Sequence, residues 1–179
     1  EVWHSVSNYQ IENLMAIDKY LLRGLLGAHA KVPLEHLYLE VAALPLSYVI
    51  SSRRMLYMQT ILNRPDEEII KQVYKCQKEN PVPGDWCILV NEDFDKIDVH
   101  MTDNQIEMMP EPVYKKLIKS KTREAAFIYL QSLKESHDKV KVNEYCNLKN
   151  PQKYITSNNL SNTEKYILFG LRSQTIRGI

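Results

Sequence analysis

The most constraining feature of the sequence is an apolar stretch over residues 34–64 that a single proline divides. On each side of Pro45 the apolar residues recur at helical spacing. Because proline is tolerated at the start of a helix and breaks a helix interior, the stretch predicts two helices that meet at Pro45. Their apolar positions are Leu34, Leu37, Tyr38 and Val41 before the proline, and Leu46, Val49, Ile50, Leu56, Tyr57 and Ile61 after it.

Arg53 interrupts the apolar stripe of the second predicted helix. At about 100° per residue, Arg53 falls in the middle of that stripe. A guanidinium buried there needs a carboxylate, because a lone buried charge costs several kcal/mol. Glu40 lies just before Pro45 and is the candidate partner. We therefore predict a structural ion pair between Arg53 and Glu40.

Helix-start signals recur along the rest of the chain. Pro65 and Asp85 can each begin a helix, and Ser161 with Glu164 forms a capping box. Turns have only five glycines to use. We therefore predict an all-α, bundle-like domain of several helices with loop-rich connections. A turn-rich run after residue 79 divides it into two predicted helical subdomains, residues 1–80 and 81–179.

Charge is distributed unevenly along the chain. Residues 1–114 hold 10 Lys and Arg against 17 Asp and Glu, whereas residues 115–179 hold 13 against 5. Such an asymmetry has two interpretations, a basic surface for a polyanion or two halves that attract each other. The sequence alone leaves both open.

A long helix predicted from Val113 to about residue 137 carries the most promising basic positions. On a continuous helix, Lys116, Lys119 and Arg123 lie nearly opposite the inner face, and Lys115 lies on the flank. Such a row matches the spacing needed to contact successive phosphates, although an ordinary solvated face is the alternative. Residues 120–122 are a predicted interruption, with Thr122 capping the second part. The predicted inner face comprises Tyr114, Leu117, Ile118, Ala125 and Ile128.

The sequence contains no constellation that indicates catalysis, a metal site or a cofactor. The five histidines and three cysteines lack metal-ligand spacing, and no nucleophile, phosphate-loop or dinucleotide motif is present. The uncharged run over residues 41–52 is too short to span a bilayer, so no membrane association is predicted. The first residue is Glu1 and no signal segment follows, from which we expect a piece of a longer protein.

Four stretches of the sequence carry a family resemblance, and together they cover most of the chain. In their order and spacing they resemble the region after the polymerase core in non-long-terminal-repeat retrotransposons whose endonuclease is restriction-like. The stretches are LEHLYLEVAALPLSYVISSRRMLYMQTIL at 34–62, VPGDWCILVNEDF at 82–94, PQKYITSNNLS at 151–161 and ILFGLRSQTI at 167–176. The residues that match the family's motifs are Leu37–Glu40, Arg53–Arg54, Gly84–Trp86 and Leu171–Ser173.

The resemblance implies a thumb and the linker that follows it, in a parent protein that is an RNA-directed DNA polymerase. Such a segment guides template RNA and primer or target DNA while element RNA is copied into nicked target DNA in the nucleus. Its implied partners are an RNA–DNA duplex and the remainder of the polymerase–endonuclease chain. The polymerase's Tyr-x-Asp-Asp carboxylates are absent here, so the segment itself is expected to be non-catalytic.

No family contact carries over residue by residue, so the candidate nucleic-acid-binding residues rest on charge and spacing alone. The rival hypothesis from another class is a helical protein-interaction or scaffold module derived from a transposon fragment. A free-standing enzyme has no supporting constellation. The candidate nucleic-acid-binding residues are Arg54, Lys115, Lys116, Lys119, Arg123, Lys153 and Arg172.

Overall fold

The computed structural model describes residues 8–28, 32–135, 148 and 150–172. Across these residues the chain forms nine helices and no strand, which confirms the predicted all-α class. The helices are α1 (Asn8–Leu26), α2 (Leu34–Val41), α3 (Leu46–Leu62), α4 (Ile69–Glu79), α5 (Trp86–Lys96), α6 (Asp103–Met108), α7 (Glu111–Glu135), α8 (Lys153–Thr156) and α9 (Asn162–Arg172).

The chain divides into two compact units, each built from separate stretches of the sequence. The first unit comprises residues 1–11 and 47–125, and the second comprises residues 12–46 and 126–179. This grouping differs from the predicted division at residue 80. The rings of Tyr74 in α4 and Trp86 in α5 pack edge-on with centroids 6.2 Å apart, so helices on both sides of residue 80 share one core.

The first unit has a continuous apolar core, and buried hydrogen bonds hold its helices in place relative to each other. The Gln59 side-chain amide donates to the carbonyls of Ile106 and Met109 at 2.9 and 2.7 Å. The Tyr114 hydroxyl donates to the Met55 carbonyl at 2.7 Å. These bonds connect α3 to α6 and α7. The buried core residues are Met55, Met58, Ile61, Leu62, Tyr74, Trp86, Cys87, Val90, Phe94, Ile97, Val99, Ile106, Tyr114 and Ile118.

The predicted ion pair between Arg53 and Glu40 is wrong. Arg53 is exposed, and the next residue, Arg54, is the buried arginine of α3. The most buried face of α3 is centred on Tyr48, Ser51, Arg54, Met55, Met58 and Ile61, whereas Val49, Leu56 and Tyr57 are only half-buried. Neighbouring residues are about 100° apart around a helix. The buried face of α3 is rotated by about one residue from the predicted face, so Arg54 is buried where Arg53 was expected.

In the second unit, α2 is buried around its whole circumference. All six residues from Glu35 to Glu40 are buried. The helix ends at Ala42, whose left-handed φ of 53° lets its N–H bond back to the last turn and releases the chain toward Pro45. The Tyr38 hydroxyl donates to Asp18 at 2.5 Å, and burial together with this hydrogen bond raises the pKa of the phenol.

Glu40 of α2 is paired within the second unit by α8 and α9. Arg172 donates to the Glu40 carboxylate, and the Tyr154 hydroxyl donates to it at 2.7 Å. The backbone N–H of Gln152 also donates to the Glu40 carbonyl at 3.0 Å. The buried carboxylate therefore has its cation on the last described helix.

Helix α7 runs without a break through residues 120–122, so the predicted interruption is wrong. Thr122 is fully buried in the middle of the helix instead of capping it. The buried positions recur every four residues, and the buried face therefore turns by about 40° at each step. This drift leaves Ile128 62% exposed, in contrast to its predicted inner position. The buried ridge comprises Tyr114, Ile118, Thr122, Ala126 and Leu130.

Candidate nucleic-acid interface

Four basic side chains form a row on the solvent side of α7 within the first unit. Lys115, Lys119 and Arg123 follow each other at four-residue intervals, and Lys116 lies beside them. All four residues are exposed. At about 1.5 Å rise per residue, the row extends roughly 12 Å along the helix. We call these four residues the basic row.

The buried ridge of α7 holds the basic row in place. Tyr114 and Ile118, each one position before a lysine of the row, have no exposed surface. Burial raises the pKa of the Tyr114 phenol, which keeps the hydroxyl protonated as the donor to Met55. The row therefore projects from a helix whose rotation about its axis is fixed by the core.

No carboxylate of the described residues neutralises the charges of the basic row. No salt bridge joins any of the four to another residue in the described ranges, and the neighbouring Lys121 and Glu124 pair with each other at 3.1 Å. Other basic residues of the same unit are paired with carboxylates. Their pairs are Arg64 with Glu68 at 3.3 Å, Lys75 with Asp66 at 2.8 Å and Lys78 with Asp103 at 2.5 Å.

Arg54, predicted to bind nucleic acid, is unsuited to that role. Its Nε and Nη2 atoms donate to Asp93 at 2.6 and 2.8 Å, and Ser51 donates to the same carboxylate at 2.5 Å. Only 9% of the Arg54 side chain and 5% of the Asp93 side chain are exposed. The guanidinium is therefore a structural group of the core and presents no charge to a ligand.

The two remaining candidates lie in the second unit. Arg172 is half-buried and is held by Glu40 and by the side chain of Gln152, 3.2 Å from its Nη2 atom. Its charge is therefore used within the fold, and its contact with nucleic acid stays a prediction. Lys153 is exposed at the start of α8 and stays a candidate.

Sequence reasoning missed Asp93 as the partner of the buried arginine, because it chose Glu40, the carboxylate just before Pro45. A signal was present. Asp93 follows Trp86 by seven residues and Val90 by three, which places it on the inner face of α5. A carboxylate at such a position requires a buried cation.

Other kinds of site have less support in the described part of the chain. No three His, Cys, Asp or Glu side chains there come together in a way that could hold a metal ion. His100 and Asp95 line a surface cleft in the first unit, and His100 lies 3.7 Å from Asp95 and 3.5 Å from Asp98, but all three side chains are exposed. None of the described helices combines the length and apolarity that crossing a bilayer requires.

Comparisons of the chain with models of protein families, with curated proteins and with solved structures found no match. The functional interpretation therefore rests on the geometry of this chain and on the resemblance of its motifs. Within that geometry, the basic row is the group of charged side chains best placed to meet a large anionic ligand.

Proposed function

We propose that this chain is a non-catalytic, nucleic-acid-engaging segment of a retrotransposon reverse transcriptase–endonuclease. It guides template RNA and primer or target DNA, as a thumb and linker, during target-primed reverse transcription. The single observation that carries the proposal is the basic row on α7, where four exposed cations have no carboxylate partner among the described residues.

The basic row suits contacts with phosphates better than readout of bases. Phosphate contacts position a protein on a duplex without carrying sequence information, and they need cations at the surface of a rigid element. Lysine predominates in the row, and its compact ammonium acts as a point charge toward phosphate oxygens. We therefore expect binding that follows the backbone of an RNA–DNA duplex and varies little with sequence.

The alternative, in which the basic row only neutralises the acidic stretch of residues 85–111, has less support. Two acids of that stretch, Asp93 and Asp103, bind Arg54 and Lys78, which lie earlier in the chain. None of the salt bridges among the described residues joins the row to that stretch.

The proposal is tested by the triple substitution Lys116→Ala, Lys119→Ala and Arg123→Ala. Affinity for an RNA–DNA duplex is measured across a range of salt concentrations. The slope of log affinity against log salt should shrink by up to about 0.9 for each lost contact with a DNA phosphate. The loss should be similar for duplexes of different sequence, and the urea midpoint should hardly change, because exposed substitutions usually stay within about 0.5 kcal/mol.

A matched control removes the same charge from the same unit. The triple substitution Arg64→Ala, Lys75→Ala and Lys78→Ala replaces three bases that are paired with carboxylates. It should leave the salt slope close to that of the unaltered chain. An unchanged slope together with a lowered urea midpoint in the α7 variant would overturn the proposal.

A further inference from the structure

The solvent face of α1 in the second unit is apolar. Between Asn13 and Gly27 every exposed residue is uncharged. Tyr20 is 78% exposed, and Ile17, Leu21 and Leu25 are each close to 60% exposed. Large contiguous apolar patches of this kind mark interaction sites on soluble proteins. We call this face, formed by Ile17, Tyr20, Leu21, Gly24 and Leu25, the α1 stripe.

Two charged residues of the same segment are directed inward. Asp18 accepts a hydrogen bond from Tyr38, and Arg23 donates to the Val32 carbonyl at 3.0 Å. Both side chains are half-buried. A surface helix normally presents its charges to water and its apolar residues to the core. Here these two charges are used within the unit, and leucines, isoleucine and tyrosine are left outside.

We propose that the α1 stripe is the interface of a homodimer in which α1 pairs with α1 of a second copy in antiparallel orientation. The inference is independent of the proposed function. Its basis is that two copies of the stripe can fit together, because each offers one large side chain and one open space. Gly24 leaves open space on its surface, with no atom within 4 Å of the position that a Cβ would occupy, and Ile17 projects seven residues earlier on the same line.

In an antiparallel pair, a twofold axis between Tyr20 and Leu21 sets Ile17 of one copy against Gly24 of the other. Helices separated by about 8–10 Å bring such facing positions into contact. The same axis places Leu21 beside its own counterpart on one flank and Tyr20 beside its counterpart on the other. Twofold interfaces require this kind of self-complementary patch.

The area of the stripe predicts a weak dimer. Its four large side chains expose roughly 230–410 Å² per copy, at exposed fractions of 58–78% and taking roughly 60–120 Å² for a whole aliphatic and 150–250 Å² for a whole aromatic side chain. Two copies then bury at most roughly 450–800 Å², which is below the size of standard specific interfaces and suits a weak, transient one. We therefore expect association in the micromolar range.

The first test measures the mass of the full 179-residue chain by sedimentation over concentrations from about 1 to 300 µM, which bracket a micromolar dissociation constant. A monomer–dimer equilibrium is expected. Leu21→Glu should raise the dissociation constant at least about tenfold, because it places like charges beside the axis. Ile69→Glu on α4, where the replaced residue is 78% exposed, is the matched control and should leave the equilibrium unchanged.

The second test addresses the pairing of Ile17 with Gly24. Gly24→Leu should weaken the dimer at least about tenfold by filling the space that receives Ile17. It should not destabilise the monomer, because the site is open and leucine favours a helix more than glycine does. The double variant Gly24→Leu with Ile17→Ala exchanges large for small across the interface and should restore the dimer.

Several outcomes would overturn the proposal. A chain that stays monomeric at about 300 µM excludes the dimer and leaves the stripe for a different protein. A dimer that tolerates Leu21→Glu is formed by another surface. A double variant no tighter than Gly24→Leu alone shows that Ile17 and Gly24 do not face each other, and the antiparallel arrangement is then wrong.

Discussion

Replacing Arg54 with methionine should lower the free energy of unfolding by about 3–5 kcal/mol. In the native protein the Asp93 carboxylate receives two hydrogen bonds from Arg54 and one from Ser51, and only 5% of its side chain is exposed. Without the guanidinium, the buried carboxylate keeps one neutral hydrogen-bond donor, Ser51, and only the electrostatic attraction of Lys96 as a counter-charge. Methionine fills much of the vacated volume, so the loss reports the unpaired charge and not a cavity.

Urea unfolding followed by tryptophan fluorescence measures this loss. With a denaturant slope of about 2 kcal/mol per molar, typical of a small domain, the midpoint should fall by roughly 2 M. The matched control is Arg53→Met, one residue earlier in the same helix and exposed. The control should change the free energy of unfolding by less than about 0.5 kcal/mol.

A double variant separates the net contribution of the ion pair from the cost of breaking it. Arg54→Met combined with Asp93→Leu replaces both charges by apolar groups, and such replacements are often neutral or stabilising. The double variant should therefore be more stable than Arg54→Met alone. A loss below about 1 kcal/mol for Arg54→Met is the value expected of a surface ion pair and would refute the assignment of Arg54 to the core. A larger loss of stability for Arg53→Met than for Arg54→Met would refute it as well.

Two further outcomes are expected. Gly27→Ala should destabilise the chain by about 1–3 kcal/mol in urea unfolding, because φ is +59° and the new Cβ would lie 2.5 Å from the Tyr166 ring. The control Gly84→Ala has a φ of +91° but open space around the new Cβ, so it should cost less. An equal loss of stability in the two variants would show that contact with Tyr166 has no part in the effect. Cys87 should resist alkylation in the folded chain at pH 8, because burial raises the pKa of its thiol to about 11. Cys76 is exposed and should react. Equal labelling rates of the two cysteines would contradict the burial of Cys87.

Local signals in the sequence were sufficient to predict where several helices begin. Pro45 precedes α3 by one residue, and Asp85 precedes α5 by one residue. The capping box of Ser161 and Glu164 is present, with the Ser161 N–H donating to the Glu164 carboxylate at 2.8 Å. The exposure of the basic row also follows from its position opposite Tyr114 and its neighbours. These features depend on residues within one or two turns of each other.

Pairings between distant residues could not be predicted in the same way. The choice between Arg53 and Arg54 depends on a helix rotation of about 100°, and Asp93, the residue that decides it, lies 39 positions further along the chain. Glu40 was expected to bind an arginine just after Pro45, yet its partner Arg172 is 132 positions away. Amphipathic spacing identifies a buried face, but it does not identify the element that covers that face.

The separation between Glu40 and Arg172 has a consequence for synthesis of the chain. Residues 47–125, nearly the whole first unit, lie between the two stretches of the second unit. At about 5–20 residues per second, roughly ten seconds pass on the ribosome between the appearance of Glu40 and that of Arg172. The first unit can fold during this interval, while α2 waits for the arginine of α9 that pairs with its carboxylate. A chaperone that acts on the growing chain would therefore have access to α2 throughout the synthesis of residues 47–125.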